Sequence, residues 1–85
     1  MIARQIARSG TSIGANVEEA QGSHSKADFV HRMNVARREA RETHYWLRLI
    51  AADGLVPAER LADLAQEAEE VVRILTAIVK TARGA

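Results

Sequence analysis

The chain has 85 residues, of which 47% are hydrophobic and 27% charged, with no Cys, one Pro and 4% aromatics. Disulfides and thiolate metal sites are thereby excluded, and a formal charge of +1 supplies no global field to draw in nucleic acid or acidic lipid. The length is just above the ~70–80 residues below which a lone core rarely suffices, so oligomerisation is the expected staple of the fold.

No apolar run approaches the ~20 residues that span a bilayer. Arg4 and Arg8 interrupt the first apolar stretch, and no signal-peptide core is present. The reading is a cytoplasmic protein with no membrane partner, forming one helical-bundle domain over residues 1–85. Hydrophobic periodicity predicts an all-α chain: an antiparallel bundle of three helices without strands.

The first helix is expected from Met1 to about Ala20. At about 100° per residue Ile2, Ile6, Ile13, Val17 and Ala20 share one arc, the pattern of a core-facing stripe. Beside it runs a line of small residues, Ala3, Ala7, Gly10 and Gly14, which permits either close approach of another backbone or a bend.

Gln21 to His24 form a connector, and Ser25 with Asp28 three residues on reads as a capping box. The second helix then runs to about Ala52 and stops at Gly54, which can supply a left-handed residue. Its stripe is Phe29, Met33, Ala36, Ala40, Thr43, Leu47 and Ile50, spaced by threes and fours as in a heptad seam. Pro57 suits the start of a third helix, running to about Ala82 on the stripe Leu61, Ala65, Ala68, Val72, Leu75 and Val79. The short turn between the two long helices makes them antiparallel neighbours.

Both long helices carry apolar residues that one packing partner cannot bury. Val35, Trp46 and Leu49 project about 100–160° away from the line through Phe29 and Leu47, while Val71, Ile74 and Ile78 widen the third stripe to about half the circumference. Such surplus marks an interface. The charges of the second helix are sorted too: Arg37, Arg41 and Arg48 on one flank, Asp28, Glu39 and Glu42 on the other. Either the two flanks match across a head-to-tail contact between subunits, or they form a solvated face with an Arg38/Glu42 pair.

Two stretches, Gln5-Ile6-Ala7-Arg8-Ser9-Gly10-Thr11-Ser12-Ile13-Gly14-Ala15-Asn16-Val17-Glu18-Glu19-Ala20 and Ser25-Lys26-Ala27-Asp28-Phe29 resuming as Glu39-Ala40-Arg41-Glu42-Thr43-His44-Tyr45-Trp46-Leu47-Arg48-Leu49, carry a resemblance. They resemble the bacterial four helix bundle protein family, which includes proteins encoded in intervening sequences of large-subunit (23S) ribosomal RNA genes. The resemblance implies an antiparallel bundle that assembles into rings, typically pentamers, with no established enzymatic activity and no cofactor. More distant relatives are accessory variability proteins of diversity-generating retroelements, where a basic surface meets nucleic acid and a reverse transcriptase. Family members usually carry more sequence before the region matching Ile2 to Ala20, including the start of a helix. Either the start is truncated, or the family's first helix is replaced by cover from a neighbouring chain.

Catalytic chemistry finds no constellation. His24 sits in the connector, and His31 and His44 occupy different sides of the second helix; only the Asp28/His31 pair approaches a di-iron pattern. Gly10 to Gly14 lacks the Lys-Ser/Thr ending and the preceding strand of a phosphate loop. Asn16, Glu18 and Glu19 suit a structural role at the end of the first helix, with Asn16 making a polar contact at the edge of the apolar arc. Tyr45 and Trp46 could stack on bases, but Trp46 lies on the acidic flank and suits an interface anchor.

Two functions compete. In the first, the chain is a non-enzymatic, ring-forming scaffold whose subunits join through Val35, Trp46, Leu49, Ile74 and Ile78. In the second it is a nucleic-acid-binding accessory protein using Arg37, Arg41 and Arg48, a weak local charge multiplied around a ring, with RNA or DNA as partner and a reverse transcriptase only in a retroelement setting. An enzyme is a distant third, because no nucleophile has a base beside it.

Overall fold

A computed structural model describes residues 2–54 and 56–84, with side-chain detail from residue 3 onward. The expected helix start at Met1 and the Ile2 side chain lie outside the described residues. Three helices account for nearly all of it: α1 (Ile2–Gln21), α2 (Lys26–Asp53) and α3 (Ala58–Gly84). No strand occurs among the described residues.

The punctuation of these helices follows from single residues. Ser25, in an extended conformation, caps α2 by accepting a hydrogen bond from the Asp28 N–H at 3.1 Å, which satisfies one of the orphan donors of the first turn. At the other end Gly54 adopts φ 70°, the left-handed conformation that a Cβ penalises, and its N–H returns to the Ala51 carbonyl. Pro57 stands one position earlier than expected. Its carbonyl accepts from the N–H groups of Arg60 and Leu61 at 3.2 and 3.4 Å, so it caps α3, and the helix begins at Ala58. Glu59 in the first turn of α3 and Arg83 in the last complement the helix dipole.

Helix α2 is the middle member. Both α1 and α3 pack against it, antiparallel, and no α-carbon of α1 comes within 8 Å of one in α3. The result is a layer 44 by 22 by 13 Å rather than a closed bundle. Its radius of gyration is 14.1 Å, against about 12 Å for a compact chain of this length.

The core sits where the carboxyl half of α1, the amino half of α2 and the carboxyl half of α3 meet. Ala20, Met33, Ala36, Ala40, Leu75 and Val79 are buried there, with Ile13, Val17, Phe29, Val30, Val71, Val72 and Ile78 packed around them. Ala36 and Ala40 are fully buried. Their small side chains let two helices close on the same stretch of α2. The predicted stripes of α2 and α3 are therefore the faces the helices use.

Candidate functional site

Two polar side chains pin the open end of α1 to α2. The arc that faces α2 includes Ser9, which is fully buried. The Ser9 and Thr43 hydroxyls share a hydrogen bond at 2.7 Å in which either can donate, and each also has a backbone carbonyl of its own helix within reach, Ile6 at 3.3 Å and Glu39 at 2.9 Å. One turn away Arg8 reaches two carboxylates of α2, with Nη2 at 2.5 Å from Glu42 and Nη1 at 3.5 Å from Glu39. Glu42 also accepts a hydrogen bond from the Trp46 indole at 3.2 Å. The Trp46 donor, and after it the Arg8 guanidinium, hold the Glu42 carboxyl below its ordinary pKa; the same Glu42 hydrogen bond raises that of Arg8.

This seam redraws the charge pattern of α2. Glu39 and Glu42, expected to face a neighbouring subunit or, on a solvated face, to leave Glu42 paired with Arg38, are engaged by Arg8 of their own chain. The salt bridge across helices stands in place of the i,i+4 pair, and Trp46 adds a second donor to the same carboxylate.

Beyond the seam the layer opens. Ile6 and Ile13 of α1, Thr43 and Leu47 of α2, and Leu64, Glu67, Ala68 and Val71 of α3 line a groove of about 240 Å³. Apart from Thr43 and Glu67 its lining is apolar, and on its α3 wall Leu64 shows 50% of its surface; Ile74, 58% exposed, lies outside the lining. At about 100° per residue Leu64, Glu67, Val71, Ile74 and Ile78 fall within one arc of about 80°. The small-residue line of α1 is exposed. A Cβ added at Gly10 or Gly14 would meet no atom within 4 Å, so neither glycine serves a close contact inside the chain. Asn16 behaves as expected, donating to the Ser12 carbonyl at 2.9 Å.

The five residues expected to form one interface are divided by the fold. Val35, Trp46 and Leu49 lie about 120–180° around α2 from Ala40, on the back of the layer, and each is half-buried. Tyr45 joins them, 48% exposed and edge-on to Trp46 with ring centroids 5.2 Å apart. Ile74 and Ile78 lie on the groove side of α3. Leu64 was not singled out in the sequence, although it stands on one heptad line with Val71 and Ile78; Tyr45 was, as a residue that could stack on bases.

The arginine flank faces α3. Arg41, His44 and Arg48 line a cleft of about 260 Å³ with Glu69 and Val72. Neither arginine forms an ion pair among the described residues, whereas Arg37, one turn earlier, has a buried Nε without a hydrogen-bond partner. Among the described residues no group of three metal-ligating side chains occurs, and no helix is long and apolar enough to cross a membrane.

A layer of three antiparallel helices with a Ser-Ile-Gly-Ala-Asn-Val-Glu-Glu-Ala run in its first helix defines a class of small all-α proteins. The chain belongs to the 23S rRNA-intervening sequence protein family, whose model matches residues 1–77. It is similar to a solved protein of unknown function from the S23 ribosomal protein family of Bacteroides thetaiotaomicron, at 40% identity and a TM-score of 0.91, covering 94% of this chain and 74% of that one. No curated protein matches it.

Proposed function

We propose that the protein is a non-enzymatic subunit of a homo-oligomeric ring, joined through the surfaces that hold Val35, Trp46, Leu49, Ile74 and Ile78. The observation that carries this reading is the apolar wall of α3, with Ile74 58% exposed beside an open groove. Surface area supports it. The chain exposes 5847 Å², against about 5,000 Å² for a compact monomer of its mass. The excess is close to the roughly 800 Å² that one partner contributes to a standard interface. Burial of a large side chain such as Ile74 is worth ~1.5–3 kcal/mol, and several such residues supply stability that a 13 Å layer lacks. The ring, and five as its number, rest on the family resemblance. Light scattering coupled to size exclusion tests the reading: a single species at an integral multiple of 9.3 kDa is expected, and a monodisperse monomer at micromolar concentration overturns it.

A second reading, a nucleic-acid-binding accessory protein, is favoured by one feature, the cleft that gathers Arg41, His44 and Arg48 beside unpartnered Arg37. Guanidinium groups without carboxylate partners are free to take phosphate oxygens. Salt-dependent retention on RNA or DNA that falls when Arg37, Arg41 and Arg48 become Glu is its signature; no retention at low salt rejects it.

A further inference from the structure

The charges of α2 and α3 are sorted around their axes, and the layer brings the two basic sides together. Counted from Ala40 at about 100° per residue, Lys26, Arg37, Arg38, Arg41 and Arg48 fall between about 40° and 160° around α2, while Asp28, Glu39, Glu42 and Asp53 fall outside that arc. Counted from Leu75, Arg73, Lys80 and Arg83 fall in the same interval around α3, with Glu69 the one carboxylate beside them among the described residues; Glu59, Asp63, Glu67 and Glu70 stand on the other side. The two arcs meet, because Arg41, His44 and Arg48 of α2 line one cleft with Glu69 and Val72 of α3. Seven of the eight bases are exposed, Arg37 is half-buried, and none forms an ion pair among the described residues. A chain of formal charge +1 thus gathers eight of its 12 Lys and Arg on one strip. From Lys26 to Arg48 the strip runs about 33 Å, at 1.5 Å per residue. It turns away from the groove, since Glu69 stands about 160° around α3 from the groove residue Glu67.

We infer that this strip holds a single strand of nucleic acid, with its phosphates along the arginines and lysines and a base stacked on Tyr45. The inference deepens the nucleic-acid reading and rests on it. Unpaired guanidinium and ammonium groups in a row take phosphate oxygens without reading sequence. Tyr45 decides the form of the partner. It stands about 140° around α2 from Ala40, inside the strip, and 48% of its surface is exposed. An exposed aromatic ring among bases is a platform for an unstacked base, and bases paired inside a duplex cannot reach it. Duplex readers send a helix or a β-ribbon into a groove; α2, the middle helix of the layer, is held between its neighbours and cannot enter one. A lipid surface asks for apolar side chains that insert beside the bases. Among the described residues Tyr45 is the one large exposed hydrophobic side chain in the strip.

Fluorescence anisotropy of the full chain with labelled oligo(U), oligo(dT) and a duplex, each about 15 nucleotides or base pairs long, tests this. Both single strands are expected to bind at least about tenfold tighter than the duplex, and the tighter of the two names RNA or DNA as the source of the strand. Their affinity should fall about 100-fold between about 50 and 200 mM salt, the slope of roughly five phosphates neutralised on a single strand. Arg73→Glu with Lys80→Glu, at exposed positions of α3, is expected to weaken both strands by more than about tenfold. Arg4→Glu, exposed on α1 outside the strip, should change them by less than about twofold, being screened from it by salt. Tyr45→Ala should weaken the single strands about fivefold or more with the salt slope unchanged. Circular dichroism verifies the helices of each variant, and Arg73→Gln with Lys80→Gln gives a smaller loss of the same sign if charge reversal unfolds the chain. A duplex bound as tightly as the single strands, an unaltered affinity in Tyr45→Ala, or equal losses in the α3 pair and Arg4→Glu overturns the inference and leaves the nucleic-acid reading standing. Phosphatidylserine vesicles bound at a salt concentration where neither strand is held assign the strip to a membrane and overturn it too. No retention of any strand at low salt overturns both.

Discussion

The two ends of the layer treat the same helix differently. Around Met33, Ala36 and Ala40, α2 is sealed by α1 on one side and α3 on the other, and the chain completes its own core. Around Thr43 and Leu47 the flanking helices leave a groove, held on the α1 side by Ser9 and Arg8 and walled on the α3 side by Leu64. Small side chains explain the closed end, where alanines let three helices converge. At the open end the contacts that hold α1 are polar, and apolar side chains of all three helices are left facing a common space. On the proposed reading, folding and assembly fall to different ends of one helix.

Substitutions in the closed end should have the largest effects. Met33→Ala and Leu75→Ala, at positions 5% exposed, are expected to cost ~2–5 kcal/mol each in urea denaturation, through lost burial and the cavity left behind. In dilute, dissociated protein Leu64→Ala is expected to change stability by less than ~0.5 kcal/mol, because half of that side chain is already in water. A large loss for Leu64→Ala under those conditions would erase the distinction between the ends.

The polar seam comes next. Ser9→Ala and Thr43→Val each break a hydroxyl pair that has no water access on the Ser9 side, at about 1 kcal/mol apiece. Since both remove one contact, the double variant should lose less than the sum in a double-mutant cycle. Ser25→Ala removes the α2 cap and should cost about 1 kcal/mol, detectable as a lower midpoint with an unchanged denaturant slope.

The smallest effect belongs to the Arg8 and Glu42 pair, which is largely solvated. The folded chain lowers the Glu42 pKa beneath its ordinary value of 4.5. The stabilisation is therefore fully present above that pH and is lost as pH falls through the depressed folded value. Trp46 fluorescence should shift in this acidic window, and Arg8→Ala should move the shift toward ordinary carboxylate pH by removing one of the two donors. An unchanged titration in Arg8→Ala would show that the indole alone holds the carboxylate.

Helix extents were legible because each end is marked by a local device: Ser25 and Gly54 bound α2, Pro57 precedes α3, and the buried stripes follow the 3.6-residue period. Relations between helices were less legible. The Arg8 contacts with Glu39 and Glu42 join positions 31 and 34 residues apart, and they depend on the register of α1 on α2, which no single-helix pattern contains. Ser9 was assigned no role from the sequence, though it is the buried polar contact of its helix. The surplus apolar residues of α2 and α3 were visible one helix at a time. Their division between back and groove depends on how α1 and α3 flank α2, with no α-carbon of one within 8 Å of the other, which no single-helix pattern contains.

The central claim is that this layer is stabilised by copies of itself, and thermal unfolding followed across protein concentration tests it most directly. Binding that favours only the folded subunit raises the midpoint with concentration. We expect Tm to climb by several degrees as the subunit concentration rises from about 1 to about 100 μM, in step with the loss of monomer by sedimentation velocity. A midpoint that stays constant over that range, with the protein sedimenting as a 9.3 kDa species throughout, would contradict the account.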